Sequence, residues 1–361
     1  RWQALNLNLP PVPVHDLAVK GDDLVIATHG RAFWSLDDIS SLRQLTAAVQ
    51  NEPAHLFKPA GAYRAEISGG GFFGGAAMGA DIDYWLKSAP TGEVTLQIFD
   101  GQGKLVRSYS SKDTGLPPGI PAEFAAFFHP VTPTKNVGMN RLVWDLRYQA
   151  PRAVPGAIAW GGLPFGPTVA PGTYVVKLTV GGQTSPTAVE VKEDPRVQVT
   201  QADLEKQTAL ALQIQDAVNA AHDAVNQIRS LHEQLEAAES RLGGAHQDLA
   251  DAAKQVDREA VAIEDRLIQT KSKTSEDPLN FPIMLADQMQ ALGSTIESAE
   301  GAPTDASVTT FNQLKAQIDL QLAAWSDLQK KDLPALNERM KRANVPFVSV
   351  APTPAPASTP M

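Results

Sequence analysis

Four polar residues near the start of the chain have types and spacing that could do chemistry. His15 stands beside Asp16, and His29 lies two residues before Arg31. A histidine with a carboxylate in reach can serve as a general base oriented by its partner. No nucleophile stands with them, and a structural reading competes. His29-Gly30 has the composition of a turn, and a strand-edge Asp16 can bond to neighbouring backbone.

Other constellations are weaker. Asp37-Asp38 supplies two carboxylates, the pair that glycoside hydrolysis needs on either side of a sugar. Adjacent strand residues point to opposite faces, so these two cannot flank one bond. His232-Glu-Gln-Leu-Glu236 begins like a zinc-protease helix but carries Glu236 where the second histidine must stand. Gly69-Gly-Gly-Phe-Phe-Gly-Gly75 lacks the Lys-Ser/Thr pair of a phosphate loop and reads as a crossing loop with an aromatic plug. Trp160 and Phe165 stand on a Gly- and Pro-rich loop, where aromatics either form a binding surface or pack on a neighbouring domain. The pattern assigns no catalytic, cofactor-binding or metal-binding residue. His15, Asp16, His29, Arg31, Trp160 and Phe165 are the surface candidates.

Composition narrows the classes. The chain has 361 residues, 43% hydrophobic and 20% charged, enough for two or three domains with real cores. A net charge of −9 argues against nucleic acid and anionic membranes as partners. No apolar run approaches the roughly 18 residues of a spanning helix. With no cysteine, thiolate chemistry, thiolate metal sites and disulfides are excluded. The first residue is Arg1, and no charged-then-apolar leader follows it, so the chain reads as a piece of something longer or a trimmed form.

The elements that would position the candidates follow from periodicity. Val14–Lys20, Leu24–Thr28 and Ala32–Leu36 read as three short antiparallel strands around Gly21-Asp22 and His29-Gly30 turns. A short helical connector, Ser41 to Gln50, follows. Seven strands are expected from Tyr63 to Glu193, two of them around the Asp100-Gly-Gln-Gly103 hairpin, in an immunoglobulin-like sandwich over 55–195. Trp144 and Tyr174 are its expected core anchors. Beyond Thr200, an N-cap, apolar residues recur at Ala211, Ile214, Val218, Ala221, Val225 and Ile228, one face of a long helix. Further helices carry Leu249–Leu267, a stretch from near Asn280 to Gly301 with Pro282 in its first turn, and a stretch after Thr304 that Pro334 should kink. Short connections favour an antiparallel bundle of three or four legs over 200–344. Residues 345–361, rich in Pro, Ala, Ser and Thr, read as a disordered or extended tail.

Leu9-Pro-Pro-Val-Pro-Val-His-Asp-Leu-Ala-Val-Lys-Gly-Asp-Asp-Leu-Val-Ile-Ala-Thr-His-Gly-Arg-Ala-Phe-Trp-Ser-Leu-Asp-Asp-Ile39 resembles the last propeller blade of bacterial sortilin-like, Asp-box-repeat proteins. The Asp-box itself does not occur in the chain. Gly103–Ser108, Asn140–Asp145 and Ala170–Val175 resemble the Ig-like domain of flagellar hook-capping proteins. The turns Asp277–Ile283 and Ser298–Thr304 resemble those of the sortilin-like C-terminal region.

The resemblance implies a multidomain all-β plus all-α chain: a partial blade and connector over 1–50, the sandwich, the bundle and the tail. It implies a noncatalytic binding or scaffolding region of a secreted, periplasmic or cell-surface protein, with no cofactor. Its own upstream blades would be its partner, and a protein or glycan ligand is a further one. Two alternatives stand beside it: part of a sialidase-like glycoside hydrolase with its active site upstream, and an adhesion or assembly module acting through the helices.

Overall fold

The computed structural model describes residues 5, 7–65, 79–113, 131–158, 160, 165–242, 246–274 and 276–350. The fold mixes strands in three sheets with helices. The chain divides into two compact units, and the division does not follow chain order. One holds Arg1–Asp113, Val131–Leu146 and Pro171–Asp194; the other holds Thr114–Pro130, Arg147–Ala170 and Pro195–Met361.

The first unit opens with β1 (Val14–Lys20), β2 (Asp23–Thr28) and β3 (Phe33–Leu36), an antiparallel meander. Helix α1 (Ser40–Gln44) and a 3-10 turn at Val49–Asn51 form the connector. Next come β4 (Ala54–Leu56), β5 (Ala62–Arg64), β6 (Ala80–Leu86), β7 (Val94–Phe99) and β8 (Leu105–Ser110). The unit ends with β9 (Gly138–Trp144), β10 (Gly172–Val180) and β11 (Gln183–Glu193). One sheet runs β5-β11-β10-β7-β8, antiparallel except where β5 joins β11; another runs β4-β6-β9. Strand β4 has only three residues, too short to show a period of two, and periodicity passed over it. Ile82, Tyr84, Leu142 and Trp144 of one sheet and Leu96, Ile98, Val176 and Leu178 of the other are buried. Trp144 meets Tyr174 edge-to-face at 5.3 Å, joining the two sets.

The second unit is built on α2 (Gln201–Leu242), whose 42 residues span about 63 Å. It packs against α3 (Gln247–Leu267), α4 (Leu285–Ile296) and α5 (Asp305–Asp327), and α6 (Leu333–Arg342) packs on α3. Ala217, Ala221, Val225, Ile228, Leu231 and Leu235 of α2 lie in one apolar core with Ala253, Ala260, Met289, Ile318 and Met340. Helix α4 starts at Leu285, with Pro282 outside it. The turn before it is organised otherwise: Asp277 Oδ2 accepts from Lys273 N and Thr274 N, and Gln269 Nε2 holds the Pro282 carbonyl. Pro334 does not break the last helix. Its missing N–H and ring are absorbed by a π-turn, Leu328–Asp332, that links α5 to α6.

The first residues of the expected tail are fixed. Val348 is 3% exposed, Asn337 exchanges both amide bonds with its backbone, and Gln234 does the same for Ser349. Residues 351–361 lie outside the described residues.

Candidate functional site

Sheet β1–β2–β3 carries four of the sequence candidates. His15 sits where the β1–β2 register slips between Val14 and Asp16, and its ring stacks on His29 at 5.1 Å. Asp16 Oδ1 accepts from the Leu17 amide at 2.9 Å. The turn after Thr28 closes by Thr28 N and Oγ1 donating to the Ala32 carbonyl, and Gly30 takes the positive φ of 83° that the turn requires. The Arg31 carbonyl accepts from Trp34 Nε1. The structure therefore brings His15 and His29 together and gives Asp16 a backbone partner.

The faces of this sheet are its more informative property. Register places Leu17 and Val19 opposite Ile26 and Leu24, and these opposite Trp34 and Leu36, so all six share one face. The other face is mixed: Ala18, Val25, Ala27 and Phe33 share it with Asp16, Ser35, Lys20 and Asp23. No residue of the three strands is buried, and Leu17, Val19 and Phe33 are exposed by 59%, 59% and 78%. A half-solvated sheet shows one apolar face; Leu24-Val-Ile-Ala27 reads as a strand covered on both.

Polar pins tie this sheet to the rest of its unit. Arg141, opposite Asp83 in the β6–β9 register, donates from Nε and Nη2 to the Asp83 carboxylate at 2.7 and 2.9 Å and from Nη1 to Asp81 at 2.5 Å. Its remaining N–H groups reach the carbonyls of Asp37 and Asp38 at 3.1 and 3.0 Å, and Ser41 Oγ completes the Asp83 shell. Burial pushes the Asp81 carboxyl above its ordinary value, against the attraction of Arg141. Asp37 and Asp38 are thus held as structural residues: their side chains accept from Ser35 Oγ and from the Ser40 amide.

In the second unit the sequence candidates Trp160 and Phe165 are half-exposed, at 48% and 42%. The Trp160 amide donates to Asp287 Oδ1, and the Arg147 guanidinium lies 5.8 Å from the Phe165 ring. His232 of the zinc-protease-like pattern pairs with Asp257 at 2.7 Å across α2 and α3. The Gly69–Gly75 loop and most of the Pro-rich 116–133 stretch lie outside the described residues.

What sequence reasoning missed is the polar stripe of α2. Gln215, Asn219, the adjacent pair His222 and Asp223, Asn226 and Arg229 follow one another at helical spacing and so lie along one side of the helix. That face holds the chain between β9 and β10. Gln215 takes the Gln149 carbonyl, Asn219 accepts the Arg152 amide, and Asn226 and Arg229 donate to the Ala153 and Pro155 carbonyls. Asp223 receives both arms of Arg152 at 2.5 Å, and His222 Nδ1 donates to the Arg152 carbonyl. Val154 enters the helical core at 5% exposure. The only signal in the sequence is the regular spacing of amides on a helix, which reads as a solvated face.

Among the described residues no three His, Asp or Glu side chains converge as metal ligands, and no helix is long and apolar enough to cross a membrane. Comparison with known proteins gives no matching family and no matching curated protein.

Proposed function

We propose that this chain is a noncatalytic binding and scaffolding region of a secreted sortilin-like propeller protein. In this reading β1–β3 is part of a propeller blade, the two larger sheets form an Ig-like sandwich, and the helices form an antiparallel bundle. The observation that carries it is the meander with apolar residues on both faces and none buried. Radial stacking of blades covers a sheet on both sides, whereas one docked partner covers only one. The resemblance of Leu9–Ile39 to a final blade points the same way. The candidate polar residues are engaged locally: the two histidines stack on each other, and Asp37 and Asp38 accept local hydrogen bonds.

The test is complementation. The preceding region of the intact protein, expressed separately, is expected to bind this chain and shift the Trp34 emission to the blue. Glycosidase turnover by this chain alone, or no association with its preceding region, would overturn the reading.

A further inference from the structure

We propose that the segment 149–157 is an acid-released latch on α2, held while His222 is neutral and loosened when His222 takes a second proton. The latch is built site by site. Five side chains of one α2 face grip its backbone, and Asp223 clamps Arg152 through both guanidinium arms. His222 lies at the centre of that row. Its Nδ1 faces a carbonyl, which only accepts, so Nδ1 carries the proton of the neutral ring and any added proton goes to Nε2.

The charged groups acting on His222 are Asp223 on its own helix and Arg152 on the segment facing it. Both Asp223 oxygens already receive Arg152, so an imidazolium there has a guanidinium neighbour and shares its counter-ion. Burial is the largest influence and holds the His222 pKa below the ordinary imidazole value; the hydrogen bond to the Arg152 carbonyl and the Asp223 charge oppose it, and the Arg152 charge adds slightly to it. The sign follows from proton counting. The released state binds more protons than the latched one below about pH 6.5, so the latched state loses ground as the pH falls. Release would withdraw Val154 from the helical core and free the β9–β10 connection from α2.

Amide exchange of the full chain between pH 7.5 and 5.0, corrected for intrinsic rates, tests this. Exchange in 149–158 is expected to rise about tenfold for each unit by which the His222 pKa is depressed. The midpoint should equal that of the His222 imidazole followed by NMR. His222→Gln retains an N–H donor and cannot titrate, and its exchange is expected to be the same at pH 7.5 and 5.0. An acid response that persists in His222→Gln, a flat response in the wild type, or a midpoint that departs from the imidazole titration would each overturn the proposal. If His222→Gln loosens the segment at both pH values, the comparison of midpoints in the wild type decides.

Discussion

Replacing Arg141 by Met should cost the first unit about 3 kcal/mol at pH 7.5, the low end of the ~3–5 kcal/mol seen when one partner of a buried ion pair is removed. The low end applies because the Arg141 side chain is 34% exposed, although Asp83 is only 6% exposed and Asp81 20%. The substitution keeps the aliphatic stem and strips both carboxylates and the Asp37 and Asp38 carbonyls of a donor. Three kcal/mol is roughly a 150-fold change in the unfolding equilibrium, readable by urea titration. Arg141→Lys should recover less than half, since an ammonium cannot serve Asp83 with two parallel bonds and still reach Asp81. The loss should also depend on pH. Asp81 already has a raised pKa, and removing Arg141 raises it further. A carboxyl raised in the folded state favours folding on the acid side and loses that as pH rises through the raised value. The deficit of Arg141→Met is therefore expected to shrink between pH 7.5 and 4.5. A loss under 1 kcal/mol at pH 7.5, or one that does not change with pH, would refute this account of the clamp.

Three further outcomes are expected. His232 has its pKa raised chiefly by the Asp257 hydrogen bond, so its contribution is fully present below about pH 6.5 and lost as pH rises through the raised value; His232→Gln should cost a few tenths of a kcal/mol at pH 5.5, given its exposure, and nothing at pH 8.5, by thermal unfolding. A Cβ on Gly79 would stand 2.0 Å from the Trp144 carbonyl oxygen at a φ of 149°, so Gly79→Ala should destabilise the β6–β9 pairing by about 2 kcal/mol or more in chemical denaturation. Val348→Ala should cost about 1–2 kcal/mol and release the 345–350 segment to fast exchange, because Val348 is the apolar anchor of that segment.

Much of the helical unit is legible because it is local. The cap at Thr200, whose Oγ1 accepts from the Asp203 amide, can be read from neighbouring residues, and the buried row of α2 declares itself by its spacing. The three-stranded meander is legible from its two turns for the same reason. The polar architecture is not. Arg141 and Asp83 are 58 residues apart, and in the sequence Arg141 is one polar residue of an alternating strand. Arg152 and Asp223 are 71 apart, so the loop after β9 gives no sign that it lies with the helices. Pro334 signals a disruption, but whether it kinks or inserts a residue depends on packing that the sequence does not display.

The central claim is that β1–β3 is a layer covered on both faces in the intact protein. The chain has no native cysteine, so single probes are clean. Val19→Cys reports one face and Phe33→Cys the other, and both positions are exposed here. Thiol labelling should be fast for both in this chain and slow for both once the proposed neighbouring blades are present. If either cysteine labels as fast in the intact protein as it does here, the sheet is not such a layer, and the scaffolding account falls with it.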